Sequence, residues 1–152
     1  MSDEDHMREA LALAREAAAR GETPVGCLIV DELSGEIVAK AANSPIALND
    51  PTAHAEVIAL RCAAEKIGNY RLRENLTLFV TLEPCAMCAG AISHGRITRL
   101  VYGADDPKGG AIDHGPRFFD QPTCHWRPRI SSGVCAEESS ELLRTFFRKR
   151  RR

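Results

Sequence analysis

The chain has 152 residues, 44% hydrophobic and 27% charged, which excludes a segment too small or too polar to bury a core without covalent staples. No stretch has the apolar length of a bilayer span and the start is acidic rather than signal-like, so a cytoplasmic chain without membrane contact is expected. In that compartment the six cysteines serve as metal ligands or small core hydrophobes rather than as disulfides.

The formal net charge is −1, yet the ends differ: Asp3, Glu4 and Asp5 open the chain, and Arg144, Arg148, Lys149, Arg150, Arg151 and Arg152 close it. Taken as charge alone, the basic end is a solvated helix terminus whose cations suit the negative pole of the helix dipole. The alternative is steering toward an anionic partner through phosphate contacts. Without repeats, low-complexity stretches or linkers, residues 1–152 read as a single domain.

In chain order, apolar residues at helical spacing (Met7, Leu11, Ala14, Ala18) predict a helix over Asp5–Arg20, stopped by Gly21. Val25–Val30 is a buried strand, and Asp31–Gly35 turns it into a second strand over Glu36–Ala41. Asn43–Thr52 is a loop punctuated by Pro45, Asn49, Asp50 and Pro51, followed by a helix over Thr52–Ile67 that ends at Gly68. Leu76–Leu82 is a strand; Pro84 suits the first turn of the next helix, which runs to His94 and Gly95. Ile97–Tyr102 and Ile130–Val134 are further strands, and a last helix spans Ala136–Lys149. This alternation predicts an α/β fold of three layers, α/β/α, whose opening hairpin makes a sheet of about five strands mixed rather than parallel.

Two segments carry chemistry. Thr52-Ala53-His54-Ala55-Glu56 is followed, roughly thirty residues on, by Glu83-Pro84-Cys85-Ala86-Met87-Cys88, a spacing that lets two helix starts share one metal. Cys85 and Cys88 fall on one helix face, near the positive dipole end that favours thiolates. With His54 they make three protein ligands and leave a fourth position open for water, which marks catalytic rather than closed structural zinc. A structural zinc ribbon would need a second ligand pair. Glu56 is the candidate proton shuttle. Residues two apart on a regular helix diverge by about 200°, so only an irregular helix start brings Glu56 to the metal of His54.

His54-Ala55-Glu56 with Pro84-Cys85-Ala86-Met87-Cys88 matches the H-x-E…P-C-x-x-C pattern and resembles the cytidine/adenosine deaminase superfamily. Asn49–Glu56, Tyr70-Arg71-Leu72, Thr77–Ile92, Pro24-Val25-Gly26 and Phe146-Phe147-Arg148 are similar to the bacterial tRNA adenosine deaminase family, over nearly the whole chain. The resemblance implies a cytidine-deaminase-like fold, one Zn2+ per subunit and a homodimer. It also implies hydrolytic conversion of a flipped-out wobble adenosine to inosine in a tRNA anticodon stem-loop.

By position it further implies that Asn43 contacts the target nucleoside, Asp106 the ribose and Lys108 the phosphates. The Cys85 main-chain N–H would then hold the reacting oxygen, and Arg148, Lys149, Arg150 and Arg151 would contact RNA, which reverses the bland reading of the basic end. The segment Gly109–His125 departs from the commonest family pattern and resembles one branch of it. Cys27, Cys62 and Cys135 read as core filling, and His6 and His94 as surface or helix-end residues. Phe118, Phe119 and Trp126 have two uses open to them, stacking a base or, more commonly, packing under a loop. The rival activity is a free nucleobase or nucleoside deaminase of guanine or cytosine type on the same fold. A rival of another class is a non-catalytic, zinc-stabilised RNA-binding module.

Overall fold

The first helix begins at a capping box. In the computed structural model, which describes residues 1–150, Ser2 Oγ accepts from the Asp5 N–H at 3.1 Å and the Asp5 carboxylate accepts from the Ser2 N–H at 2.9 Å. The resulting α1 (Asp3–Ala19) buries Met7, Ala10, Leu11, Ala14 and Ala17. His6 is buried with them, its ring 4.9 Å from that of Phe79; it is a core residue, not a surface one. Arg151 and Arg152 of the basic end lie outside the described residues.

Strand β1 (Gly26–Asp31) turns into β2 (Ile37–Ala42) through an Asx turn: Asp31 Oδ1 accepts from Leu33 N at 2.9 Å and Ser34 N at 3.3 Å. Four residues of the following loop form a short helix, α2 (Pro45–Leu48), before α3 (Ala55–Ile67). Gly68 stops α3 in the left-handed conformation (φ 80°) that glycine adopts without penalty. Then come β3 (Leu76–Leu82), α4 (Ala86–Gly95), β4 (Arg99–Ala104), a 3-10 turn at Phe118–Asp120, β5 (Arg129–Ser131) and α5 (Ala136–Arg150).

The sheet order is β2-β1-β3-β4-β5. Strand β1 is antiparallel to β2 and β3, whereas β3–β4 and β4–β5 are parallel; the sheet is mixed, as the opening hairpin requires. Strand periodicity divides the core in two. Cys27, Ile29, Leu78, Val80, Leu100 and Tyr102 face α3 and α4, with Ala55, Ala59, Ala63, Ala89 and Ile92. Leu28, Val30, Phe79 and Val101 face the opposite way, onto Met7 and Ala10 of α1 and Val134. The three-layer α/β/α architecture follows, and no helix among the described residues is long and apolar enough to cross a membrane.

Helix starts and the last strand differ from the sequence expectation. Helix α3 begins at Ala55 rather than Thr52, and α4 at Ala86, so Pro84 precedes the cap instead of occupying the first turn. The last strand is Arg129–Ser131, since Gly133 turns at φ 79°. Cys62 is exposed on α3 rather than filling core.

Gly26 sets how closely α1 lies on the sheet: a Cβ there would meet the Ala10 carbonyl oxygen at 1.9 Å and Ala14 N at 2.8 Å. Gly26→Ala is therefore expected to lower stability by about 3 kcal/mol, the upper part of the usual overpacking range. In urea this appears as a lower midpoint with an unchanged slope.

Candidate active site

Two helix N-termini meet at the end of β3. His54 is the N-cap of α3, with extended backbone (φ −69°, ψ 151°), and Cys85 is the N-cap of α4 (φ −74°, ψ 175°). His54 thus lies off the helical path, and the divergence expected for regular helix spacing does not apply to it and Glu56. Glu56 sits in the first turn, buried to 4% exposure and beside the Cys88 thiol. Neither cap residue bonds a backbone N–H of its helix; their side chains turn toward each other instead.

His54 Nδ1 lies 3.6 Å from Cys85 Sγ and 3.5 Å from Cys88 Sγ. Zinc–nitrogen and zinc–sulfur bonds of about 2.0 and 2.3 Å at tetrahedral angles place such ligands about 3.5 Å apart. The three atoms form one mutually close cluster, so the donor set and its spacing fit zinc. The electrostatics fit as well. The Cys88 thiol, acting as hydrogen-bond donor, and then His54 hold the Cys85 thiol down at about 4. That same donated bond, then burial, push Cys88 well up. One anion in this half-buried pair suppresses the second, and a bound cation relieves the repulsion. Burial pushes the Glu56 carboxyl up to about 7, with the Cys85 thiolate adding to the rise.

The trio opens into a cavity of about 240 Å3 lined by Thr23, Val25, Asn43, Leu82, Glu83, Asp106 and Gly109 besides His54, Glu56 and Cys85. Asn43 reaches it because its N–H is held by the Val25 carbonyl at 2.9 Å and Ser44 N donates to Ala53 O at 3.0 Å, drawing this loop to the start of α3. Asp106 enters from the loop after β4. Lys108, in contrast, is exposed and does not line the cavity. Arg148 lies on α5, exposed and 3.9 Å from Glu141. The structure therefore brings His54, Glu56, Cys85, Cys88, Asn43 and Asp106 together, and leaves Lys108 and Arg148 on the surface.

Two residues that the sequence left without a role support this cavity. The buried Glu22 accepts from Ile46 N at 3.2 Å and Ala47 N at 2.8 Å, capping α2 and fixing the segment after Asn43. Glu83 does the same for the loop that carries Asp106. Glu83 stands between Leu82 and Pro84, an apolar setting that was its available signal; Glu22, between Gly21 and Thr23, offered none. The aromatic residues settle as packing: Phe119 is buried, Phe118 lies under the loop against α4, and Trp126 Nε1 donates to Ile97 O at 2.7 Å.

The family model for the cytidine and deoxycytidylate deaminase zinc-binding region matches residues 1–104. The chain is 51% identical to the tRNA-specific adenosine deaminase of Agrobacterium fabrum, over 99% of this chain and 98% of that protein. It is 55% identical to that of Haemophilus influenzae, over 98% of this chain and 85% of the relative. The chain belongs to the tRNA-specific adenosine deaminase family. A solved structure from work on A-to-I editing by tRNA:A34 deaminases at the wobble position superposes with a TM-score of 0.87. It is 51% identical and covers 91% of this chain and 99% of its own. The fold of this family member is thus cytidine-deaminase-like.

Replacing His54, Cys85 or Cys88 by Ala is expected to lower bound zinc to a small fraction of that of the unaltered protein. Because protons and the ion compete for the same thiols, zinc affinity of the unaltered protein should rise with pH. Metal analysis after dialysis against a weak chelator, repeated at several pH values, reads both effects.

Proposed function

We propose that this chain, as one zinc-dependent domain, hydrolyses the wobble adenosine of a tRNA anticodon to inosine and ammonia. The near full-length identity to tRNA-specific adenosine deaminases carries this reading, and the cavity supplies its chemistry. His54, Cys85 and Cys88 hold one zinc per subunit, which when bound activates water as a Lewis acid. Glu56 takes a proton from the attacking water, delivers it to the ring nitrogen next to C6, and then assists protonation of the departing amine. Burial that raises Glu56 toward neutrality suits it to accepting and returning a proton. The N–H of Cys85, at a helix start, helps hold the reacting oxygen. Water and adenosine are consumed, inosine and ammonia are formed, and Glu56 ends in its initial state.

Asn43 and Asp106, already on the cavity wall, hold the flipped nucleoside and its ribose. Lys108 and the α5 residues Arg148, Lys149 and Arg150, all exposed, meet phosphates farther along the anticodon stem-loop. The active unit is a homodimer. An apolar groove of about 590 Å3 where the loops meet α3 and α4, with Leu60, Leu72, Ala91 and the 81%-exposed Tyr70, suits a second copy. Such an enzyme works in the cytoplasm, where tRNA is found.

Glu56→Gln is expected to cut turnover at least about a thousandfold with zinc content unchanged. Near-normal turnover in this variant would overturn the proton shuttle. Removal of residues 148–152 should raise KM for an adenosine-34 stem-loop and flatten its salt dependence, with kcat largely kept. Inosine in the stem-loop, with free adenosine, guanine and cytidine unchanged, is the expected outcome for the intact protein. Turnover of a free base with an inert stem-loop would move the enzyme to nucleobase metabolism on the same zinc site.

A further inference from the structure

The loop after β4 hangs on one buried side chain. Glu83 immediately precedes the Pro84-Cys85 segment, and its side chain is fully buried. Its Oε1 accepts from Asp106 N at 2.9 Å and His114 Nδ1 at 2.7 Å; its Oε2 accepts from Ile112 N at 3.0 Å, Asp113 N at 2.9 Å and His114 N at 3.2 Å. A carboxylate offers about four acceptor positions, so these five donors use its capacity. Glu83 therefore has no lone pair left for a metal, although its oxygens lie close to Asp105 and His114. Its charge is spent inward, on backbone N–H groups.

The loop is shaped to this anchor. Gly110 lies directly on it: a Cβ there would meet Glu83 Cδ at 2.5 Å and the Asp106 carbonyl oxygen at 2.6 Å. Gly115 turns at φ 55°, where a Cβ would meet the Gly110 carbonyl at 2.6 Å. Ala111 N donates to Pro84 O at 2.9 Å, fastening the loop beside Cys85. Asp106, first of the amides held, is presented to the cavity by this loop together with Gly109.

We propose that Glu83 is a positioning residue that holds the 106–114 loop against the cavity and so sets the grip on the substrate, with His114 as its side-chain donor. This rests on the tRNA reading for the identity of the substrate, but the anchor itself does not. Although Glu83 lies on the cavity wall, both its oxygens are taken up by loop donors, so it acts through Asp106.

The test uses variants that disturb the anchor without touching Glu83, since Glu83→Gln puts an amide N–H against backbone donors and risks misfolding. His114→Ala removes the side-chain donor, His114→Asn restores a donor at the same position, and Gly110→Ala displaces the loop. With zinc content unchanged, His114→Ala and Gly110→Ala are expected to raise KM for the stem-loop about tenfold, with kcat altered less than about twofold. His114→Asn should recover most of the loss. Hydrogen exchange at the amides of Asp106, Ile112, Asp113 and His114 should speed up in the two impaired variants and not elsewhere.

Unchanged exchange and KM would overturn the proposal. Loss of zinc in both impaired variants would also overturn it, making the contact a support for Cys85. An unaltered enzyme inert on the stem-loop would overturn the tRNA reading instead, and exchange alone would then decide whether this anchor holds the loop.

Discussion

Everything at this site depends on two helix caps sharing one point in space. A helix N-cap ordinarily spends its side chain on the free N–H groups of its own first turn. Here both caps, His54 and Cys85, direct that side chain at the other helix. The uncompensated N–H groups and both helix dipoles then converge on one small volume, which becomes attractive to negative charge. Thiolates, hydroxide and the charge developing on an attacked ring all benefit. The sheet is what makes the meeting possible, because β3 delivers Cys85 from the middle of the molecule while the β2–α3 loop returns His54 to the same end.

The elements themselves were legible wherever apolar runs are bounded by turn residues. Leu76–Leu82 matches the sequence reading residue for residue, and Gly68 ends its helix as read. The metal trio was legible because its residue types and spacing admit few other uses. The helix starts were not, since whether His54 is a cap or a first-turn residue depends on a ψ angle set by the loop packed behind it. Helix α2 escaped notice because the group that caps it, Glu22, is 24 residues before Ile46 in sequence. Similarity to a family assigned roles to Lys108 and Arg148 by position; spatially they are surface residues outside the cavity.

Buried carboxylates are ordinarily costly, and besides Glu56 this fold holds Glu22 and Glu83 without partnering either with a lysine or arginine in the described contacts. Glu22 and Glu83 are each neutralised by N–H groups of a loop. Such an arrangement exchanges sequence freedom for geometric definition. The loop must present its amides in register, and glycine must lie where the chain crosses the carboxylate. The segment Gly109–Gly115 is in this light a route to a fixed wall.

Helix α5 is joined to the molecule lightly. Ser139 is its one buried residue, and Ser139 Oγ donates to the Thr81 carbonyl of β3 at 2.5 Å. Its contacts are with the α1 side of the sheet, in a layer separate from the two helices that start at His54 and Cys85. Surface residues on such a helix carry little of the folding energy, so they accept replacement with small effect on stability. Substitutions on the surface of α5 can therefore accumulate while the His54–Cys85 centre, built on the opposite face of the sheet, stays as it is.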